Sequence, residues 1–290
     1  MKDIKNILVA IDCSSMAYEA LKRAISVAKK KDAHLIVMHV IEPSFIESPF
    51  LEYVNKDKIK RQIEKKINQI NIEANLKYIL FVESGSVVGN ITHKVEKTKA
   101  DLLIIGTHGK DDISSNYFGS TALKLIQNTH IPVLIVKNEV KSIYKKMIAP
   151  TNLSDYSKES ILFANTLFTN LARKYLYVFE SVDEIQAIRY HISIEQLHKF
   201  KSDLLSEAKI ASEKFMKEVN GGKMALIAYK SSINEDLMEY IIKDESDLLV
   251  LGSKGVNNLN SFVFGSTASF LIQRSPIDVL AYVPVTTNTK

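Results

Sequence analysis

Two stretches of this sequence combine glycines and small hydroxyl residues at a spacing that suits the binding of an anion. The first has the residues Gly106-Thr107-His108-Gly109, followed after nine residues by Gly119-Ser120-Thr121. The second has Gly252-Ser253-Lys254-Gly255, followed after nine residues by Gly265-Ser266-Thr267. Glycine lets a ligand approach the backbone closely, and the helix predicted next supplies unpaired N–H groups for a phosphate. Ser120 and Ser266, at the expected cap positions, are candidate phosphate ligands.

A purely structural role is also open for these residues, because glycines shape turns and serines cap helices. Two copies with the same spacing, each between an apolar strand and a helix, favour the binding role. We therefore predict two phosphate sites, one in each half of the chain.

An acidic residue ends the first apolar segment, where the rest of the pocket is expected. In open parallel sheets, ligands bind at the carboxyl ends of the strands where the connections reverse direction, so the first strand should end beside the fourth. There the Asp12 carboxylate could accept hydrogen bonds from a ribose or an adenine amino group, or cap the next helix, or do both. The second copy has Pro150-Thr151-Asn152 in place of Ala10-Ile11-Asp12. Because Asn152 carries no charge, we expect two unequal sites, with the amino-terminal one the better.

The sequence offers no catalytic constellation. It lacks the G-K-[ST] ending of a Walker A loop and the S-G-G-x-D-S loop of ATP pyrophosphatases. His108 is matched by Lys254 in the other copy, and the remaining histidines form no pair spaced for a metal. Cys13, beside Asp12, is either a redox-sensitive thiol or, as we expect, a buried cysteine without a reactive role. We assign no catalytic residue and no metal ligand.

Composition is that of an ordinary folded protein. The 290 residues are 46% hydrophobic and 24% charged, with a formal net charge of +5. Lysines are spread along the chain without a basic stripe, so we expect no nucleic-acid partner. The single cysteine favours a reducing compartment, and we expect a cytoplasmic protein. Apolar runs are too short for a membrane span, so we expect no membrane partner, and the start MKDIKNILVAID predicts a first strand.

The chain repeats itself at a shift of about 146 residues. The segment from Asp101 to Gln127 aligns without a gap on that from Asp247 to Gln273, with about half of the positions identical. At a smaller shift, NILVAIDCSS from Asn6 aligns with KMIAPTNLSD from Lys146. We therefore predict two domains, residues 1–140 and 141–290, with a boundary near Asn138 to Tyr144.

Each half alternates strand-length apolar segments with amphipathic helical patterns. The predicted strands are Ile7–Ile11, His34–Ile41, Leu76–Val82, Leu102–Ile105 and Val133–Val136, then Met147–Pro150, Lys174–Phe179, Met224–Ala228, Leu248–Leu251 and Val279–Val283. Long helical segments surround residues 56–75 and 195–219. This alternation predicts an α/β fold with a parallel sheet and helices on both faces.

A strand, an acidic residue, a helix and then G-x2-G-x9-G-S/T resemble the ATP-binding class of the universal stress protein A family. The resemblance covers about Met1 to Lys137 and again about Tyr144 to Val283. It implies two tandem open parallel five-stranded sheets of the Rossmann-like, nucleotide α-hydrolase-like kind. It implies that an adenosine contacts Ala10, Ile11, Asp12 and Val40, and that ribose and phosphates contact Gly106, Gly109, Gly119, Ser120 and Thr121. The matching residues in the second copy are Pro150, Thr151, Asn152, Gly252, Gly255, Gly265, Ser266 and Thr267.

Two departures from the family pattern leave questions open. The residue that matches Val40 in the second copy is one of Glu180, Ser181 and Val182. In the first copy Asp111 and Asp112 follow Lys110 between the second and third glycines, and two carboxylates there repel phosphates. A diphosphate, a monophosphate or a triphosphate bridged by a metal such as Mg²⁺ would then fit better than bare ATP.

The function we expect is regulatory binding of an adenine nucleotide (ATP, ADP or AMP) in a stress response, with unknown protein partners. One alternative is a slow ATPase or nucleotide transferase that recruits a metal through Asp111, Asp112 or Asp12. Another is a stress-linked scaffold without a ligand. Because family members pair through the last strand, we expect Val133–Val136 and Val279–Val283 to pair within the chain as a pseudo-dimer, and further homodimerisation is open.

Overall fold

The computed structural model describes residues 3–42, 55–107, 119–182, 184–230, 232–253 and 264–283, and only the backbone of residues 184–186. The elements of the first half are β1 (Asn6–Ala10), α1 (Ser15–Lys31), β2 (His34–Ile41), α2 (Lys56–Ile70), β3 (Tyr78–Ser84), α3 (Val87–Thr98), β4 (Leu102–Gly106), α4 (Ser120–Asn128) and β5 (Val133–Val136). Those of the second half are β6 (Lys146–Pro150), α5 (Asp155–Leu167), β7 (Ala172–Phe179), α6 (Glu184–Arg189), α7 (Ile194–Glu218), β8 (Lys223–Ala228), α8 (Ile233–Lys243), β9 (Leu248–Gly252), α9 (Ser266–Arg274) and β10 (Asp278–Tyr282).

The described strands form one continuous sheet in the order β3-β2-β1-β4-β5-β10-β9-β6-β7-β8. Every pair within a half is parallel, whereas β5 and β10 pair antiparallel, with Leu134 opposite Leu280. The predicted α/β fold is confirmed, and so is the predicted pairing of the two last strands within the chain. That pairing joins the two expected five-stranded sheets into a single sheet with a pseudo-two-fold axis at the seam.

Helices cover both faces of the sheet because the strands at its centre bury both sets of side chains. On β4 the alternating residues Leu102 and Ile104 pack in one core with α1, and Leu103 and Ile105 pack in the other with α4. The same division places α5 and α7 on the first face and α8 and α9 on the second. The continuously apolar β4 and β9 are therefore strands covered on both faces, in the interior of the sheet.

An aspartate that recurs in the repeat has a structural task. Asp101 accepts hydrogen bonds from the backbone N–H groups of Lys5 (2.9 Å) and Asn6 (3.0 Å). Asp247 repeats this with the backbone N–H groups of Lys145 (2.8 Å) and Lys146 (3.1 Å). Each aspartate thereby fixes the start of the first strand of its half against the start of the fourth.

Several strand ends are shifted by one or two residues from the sequence-based expectations, such as the start of β7 at Ala172 instead of Lys174, and two differences have a clear physical reason. Strand β3 begins at Tyr78 instead of Leu76, because the Asn71 side chain binds both the N–H and the carbonyl of Leu76 and holds that residue in the preceding loop. The short helix α6 was not predicted, since six residues give too little periodicity to reveal a helix. No described helix has the length and apolar character that a membrane span requires.

Candidate functional site

The candidate site lies at the carboxyl edge of the sheet, where the connections reverse direction. Strand β1 pairs with β2 on one side and with β4 on the other, with Leu8 opposite Leu103. From this edge α1 leaves along one face and α4 along the opposite face. The second half repeats the arrangement with β6 between β7 and β9. The expected meeting of the first and fourth strand ends is confirmed. We call the region between the starts of α1 and α4 at these strand ends the candidate crevice, because ligands of open parallel sheets bind there.

The first glycine of each motif is required by packing. A β-carbon on Gly106 would lie 2.9 Å from the carbonyl carbon and oxygen of Met16 in α1. A β-carbon on Gly252 would lie 2.9 Å from the carbonyl oxygen of Tyr156 in α5. These distances are too short for any side chain, so the two glycines allow α1 to approach the end of β4 and α5 to approach the end of β9. The motif therefore does structural work before any ligand is considered.

The third glycine of each motif is the cap of a helix. Gly119 and Gly265 occupy the N-cap positions of α4 and α9, and no side chain accepts a hydrogen bond there. Ser120 and Ser266 are the first helical residues, so their expected placement at the caps is wrong by one position. By contrast, a serine side chain caps α1, α3, α5 and α7. Among the described residues, no side chain caps the starts of α4 and α9, and their first N–H groups are therefore open to an anion.

A buried hydroxyl follows the first glycine in both halves. Thr107 is 4% exposed and Ser253 is 1% exposed, and neither hydroxyl has a hydrogen-bond partner among the residues that the structure describes. The carbonyl of Thr107 accepts a hydrogen bond from the N–H of Gly119 at 3.3 Å, which ties the end of β4 to the start of α4. Neither hydroxyl was among the ligands predicted from the sequence, although the equivalent positions of Thr107 and Ser253 in the repeat indicate a common role.

Asp12 is exposed and is not the helix cap. Its Oδ1 accepts a hydrogen bond from the N–H of Ser14 at 2.9 Å, and the Ser14 hydroxyl caps α1 through the N–H of Ala17 at 3.1 Å. The capping alternative for Asp12 is therefore wrong, because a tight turn places the cap two residues later. No described residue donates to the second oxygen of Asp12. Asp12 as a whole is exposed, at the end of β1.

Asn152 occupies the equivalent position but is more strongly tied to its surroundings. Its Oδ1 accepts hydrogen bonds from the N–H of Ser154 at 3.2 Å, the hydroxyl of Ser154 at 2.6 Å and the hydroxyl of Ser157 at 3.4 Å. Thr151 is also engaged, with its hydroxyl 2.8 Å from that of Ser157. Because these contacts occupy the amide oxygen, Asn152 has less accepting capacity to offer a ligand than Asp12 has.

The register of the strands identifies the partner of Val40. Ala10 lies opposite Met38, and Pro150 lies opposite Leu176, so Val40 is matched by Val178, two residues further along β7. All three candidates from the sequence, Glu180, Ser181 and Val182, are wrong because they lie beyond the end of β7. Ala10, Val40, Pro150 and Val178 are half-buried, and Ile11 and Thr151 are buried.

A polar cluster beside Asp12 was not foreseen. Cys13 is half-buried, and its sulfur lies 3.9 Å from Nδ1 of His39. The same nitrogen lies 2.8 Å from the carbonyl oxygen of Ile11. Burial, together with the nearby Cys13 and Asp12, raises the pKa of Tyr18 to about 12. Cys13 has a positive φ of 67°, as does its counterpart Leu153 at 61°, so this backbone turn belongs to both halves.

Several residues singled out in the sequence lie outside the described ranges. They are Gly109, Gly255, His108, Lys254, Lys110, Asp111 and Asp112. Thr121 and Thr267 lie in the first turns of α4 and α9. Within the described ranges, no group of three or more His, Cys, Asp or Glu side chains is arranged to hold a metal ion.

Comparisons with known proteins agree with this architecture. A universal stress protein of Methanocaldococcus jannaschii is 32% identical over 144 residues, which are 47% of this chain and 84% of that protein. The crystal structure of a universal stress protein from Archaeoglobus fulgidus has a TM-score of 0.66 at 15% identity and covers 97% of this chain and 99% of its own. A universal stress protein solved in complex with cAMP is 24% identical over 47% of this chain and 98% of its own, with a TM-score of 0.38.

The sequence model of the universal stress protein family matches the chain twice, over residues 3–137 and over residues 143–283. Together the two matches cover nearly the whole sequence, and each contains one complete set of parallel strands. The chain belongs to the universal stress protein family, with two copies of its domain in tandem.

Proposed function

We propose that this protein binds an adenine nucleotide at the carboxyl edge of the sheet and acts as a regulator in the response to stress. The observation that carries the proposal is the start of α4. It begins at a glycine cap without a side-chain acceptor, at the point where β1 and β4 end side by side. Free N–H groups and the helix dipole favour a phosphate at that position.

The crevice divides into two parts with different chemistry. Ala10, Ile11, Asp12 and Val40 provide an apolar surface with one exposed carboxylate, which suits a purine and the hydroxyl groups of a ribose. Gly106, Gly109, Gly119, Ser120 and Thr121 would surround the phosphates. The corresponding residues in the second half are Pro150, Thr151, Asn152 and Val178 for the adenosine, and Gly252, Gly255, Gly265, Ser266 and Thr267 for the phosphates.

The two sites differ in strength. In the first half, the second oxygen of Asp12 is available to the ribose, and a charged acceptor gives the stronger hydrogen bond. In the second half, Asn152 is neutral and already accepts hydrogen bonds from Ser154 and Ser157. We infer that the first site binds the nucleotide more tightly.

The hydrogen-bonding groups at the candidate crevice support a regulatory role. Its described part brings together hydrogen-bond donors for phosphates and acceptors for a ribose, and a reporter of nucleotide concentration needs no more than these. Mg²⁺ would enter with a triphosphate as its counter-ion. Turnover well above a slow background in purified protein would instead favour the ATPase or transferase alternative, and failure of every nucleotide to bind would favour the scaffold.

The test is a binding titration of the purified protein with ATP, ADP, AMP, cAMP and GTP, with and without Mg²⁺. We expect adenine nucleotides to bind, and the Gly119→Ala, Ser120→Ala double variant to lose about tenfold or more in affinity at the first site. A matched control is Ser193→Ala, which removes the serine cap of α7 in the second half and should leave affinity unchanged. Unchanged affinity in the double variant would refute the proposal.

A further inference from the structure

The seam between the halves has an apolar centre that would suit either half equally well. Val279 lies opposite Ile135 and Leu280 opposite Leu134, and all four side chains are fully buried. Valine, leucine and isoleucine pack against one another in any combination, and the backbone ladder is the same whichever strand supplies the partner. At these two pairs nothing tells the second half from another copy of the first, and the third pair, Val133 opposite Ala281 at the position of Ile135, differs only in the volume of an apolar side chain.

A buried carboxylate beside the seam makes contacts of another kind. Asp278, at the start of β10, is 2% exposed. It accepts hydrogen bonds from the backbone N–H groups of Lys137 (2.8 Å) and Asn138 (3.2 Å) and from the hydroxyl of Tyr144 (2.5 Å). Its carboxylate also lies 3.9 Å from the guanidinium of Arg23 in α1. Tyr144 precedes β6 in the second half, whereas the other partners, Arg23, Lys137 and Asn138, come from the first half.

The two cations are held just as specifically. Arg23 is 6% exposed, its guanidinium stacks 3.7 Å from the ring centre of Tyr144, and it donates to the carbonyl of Ser142 at 2.9 Å. The ammonium of Lys137 reaches across the seam to the carbonyls of Ile272 (2.7 Å) and Ser275 (2.8 Å) at the end of α9. We call Arg23, Lys137, Tyr144 and Asp278 the seam cluster.

The internal repeat does not duplicate this cluster. Alignment of the strands places Pro132 where the second half has Asp278, and Val283 where the first half has Lys137. Phe163 stands in the position of Arg23. The position of Asn138 is taken by Pro284, which has no N–H to donate. Both halves thus have apolar side chains at the centre of the seam, whereas each charged member of the cluster occurs in one half only.

We propose that the seam cluster makes the pairing of the two halves heterotypic, so that the last strand of a first half accepts a second half and rejects another first half. A pair of first halves would bury Arg23 and Lys137 without the carboxylate of Asp278. A pair of second halves would bury Asp278 without the guanidinium of Arg23 and with one backbone N–H donor fewer, because the sequence has Pro284 at the position of Asn138. Burial of a charge without its partner costs far more than the loss of an exposed pair.

This specificity constrains any larger assembly of the chain. Two copies that associate through the seam must exchange halves, with the first half of one copy against the second half of the other. A homodimer of intact pseudo-dimers must use another surface, since each seam is already occupied within its own chain. The cluster therefore assigns the seam one kind of partner, a second half with its own Asp278.

The test uses the full chain, folded and then cut between its halves. A protease site is inserted beside Lys141, whose side chain is 80% exposed, and the folded protein is cleaved there. A labelled and an unlabelled sample of the cleaved protein are mixed. They are incubated until pairs of one first half and one second half contain one labelled and one unlabelled member, which shows that the halves have exchanged. Native mass spectrometry then distinguishes pairs of two first halves, of two second halves and of one of each.

Random pairing would give homotypic pairs in half of the population, and we expect them at about one in a hundred or fewer. Asp278→Asn should raise that share about tenfold, and Arg23→Met provides a second, independent variant. Asp101→Asn is the matched control, because Asp101 also accepts two backbone N–H groups but inside the first half, and its share should equal that of the unmodified protein. A homotypic share near one half in the unmodified cleaved protein would overturn the proposal whether or not the variants fold, and so would an Asp278→Asn share equal to that of the control.

Discussion

Gly106 lies so close to Met16 that a β-carbon on the glycine would be 2.9 Å from the carbonyl oxygen of the methionine. The contact joins the end of β4 to the first turn of α1, and both lie at the candidate crevice. The second half repeats it between Gly252 and Tyr156. The glycine that a motif search associates with a ligand thus first serves the packing of a helix on a strand.

Alanine substitution should separate packing glycines from open ones. We expect Gly106→Ala and Gly252→Ala to lower the free energy of unfolding by roughly 1–3 kcal/mol, because backbone must shift to admit the methyl group. Gly265→Ala is the matched control, since no atom lies within 4 Å of the added carbon and its φ of −57° suits alanine. Its change should stay within about 1 kcal/mol, as the poorer cap and the stiffer unfolded chain oppose each other. Urea unfolding measures all three, and equal losses would contradict the distinction.

Two serines at helix starts should respond differently to removal of the hydroxyl. Ser14→Ala deletes the cap of α1 and should cost about 1 kcal/mol of stability. Ser120→Ala should change stability by less than about 0.5 kcal/mol, because Ser120 is exposed and is not a cap. The same Ser120 variant should weaken nucleotide binding. Thermal unfolding and a binding titration of each variant provide the comparison, and a large loss of stability in Ser120→Ala would speak against it.

The difference in nucleotide affinity between the two sites should reverse when their strand-end residues are swapped. Asp12→Asn should weaken binding at the first site by about tenfold, and Asn152→Asp should strengthen it at the second site by adding a second, charged acceptor oxygen. Calorimetric titration resolves both effects as changes in affinity and in the number of occupied sites. If neither variant alters binding, the strand-end residue does not contact the nucleotide.

Stability should rise with pH above pH 8 because of Lys137. Burial lowers the pKa of this lysine from 10.5 to about 8, so between these values the folded protein binds fewer protons than the unfolded chain. The free energy of unfolding therefore increases with pH in this window, by at most about 1.4 kcal/mol per pH unit from one group. Lys137→Met should lower that slope in urea unfolding between pH 8 and 9.5.

Lys31 serves as the control for this measurement. Burial also lowers the pKa of Lys31, so Lys31→Met should reduce the slope in the same direction but leave the contribution of Lys137 in place. Removing both should have an additive effect, because the two lysines contact different elements. A slope that is identical in the unmodified protein and in Lys137→Met would show that the ammonium group is not buried in solution.

Much of the fold could be predicted from local pattern alone. β2 and β5 have the bounds that their apolar runs indicated, and the buried β4 and β9 were recognisable because no polar residue interrupts them. The start of β3 was misplaced because a hydrogen bond from Asn71 to a residue five positions later leaves no trace in periodicity. For the same reason, the helix cap two residues beyond Asp12 could not be told from a cap at Asp12.

The site shows the same division between local and tertiary information. The spacing of the glycines was visible in the sequence, but the task of Gly106 was not, since two strands and two helices separate it along the chain from its neighbour Met16. Helices and loops of different length in the two halves hid the match between Val40 and Val178. The register of β2 against β1 and of β7 against β6 revealed it. Only the structure shows that Thr107 and Ser253 are buried, with hydroxyls that have no described hydrogen-bond partner, because a single position in a sequence does not report burial.

The sequence by itself determined the repeat, the alternation of strands and helices, and the two glycine motifs, because each is written in the order and spacing of residues along the chain. Only the tertiary structure decided that the two sheets are one and that Asp278 lies between Lys137 and Tyr144 at the seam. Asp278 is more than 130 positions away from both of these partners in the sequence. A carboxylate buried at an interface is recognisable only when the partners that neutralise it are in place.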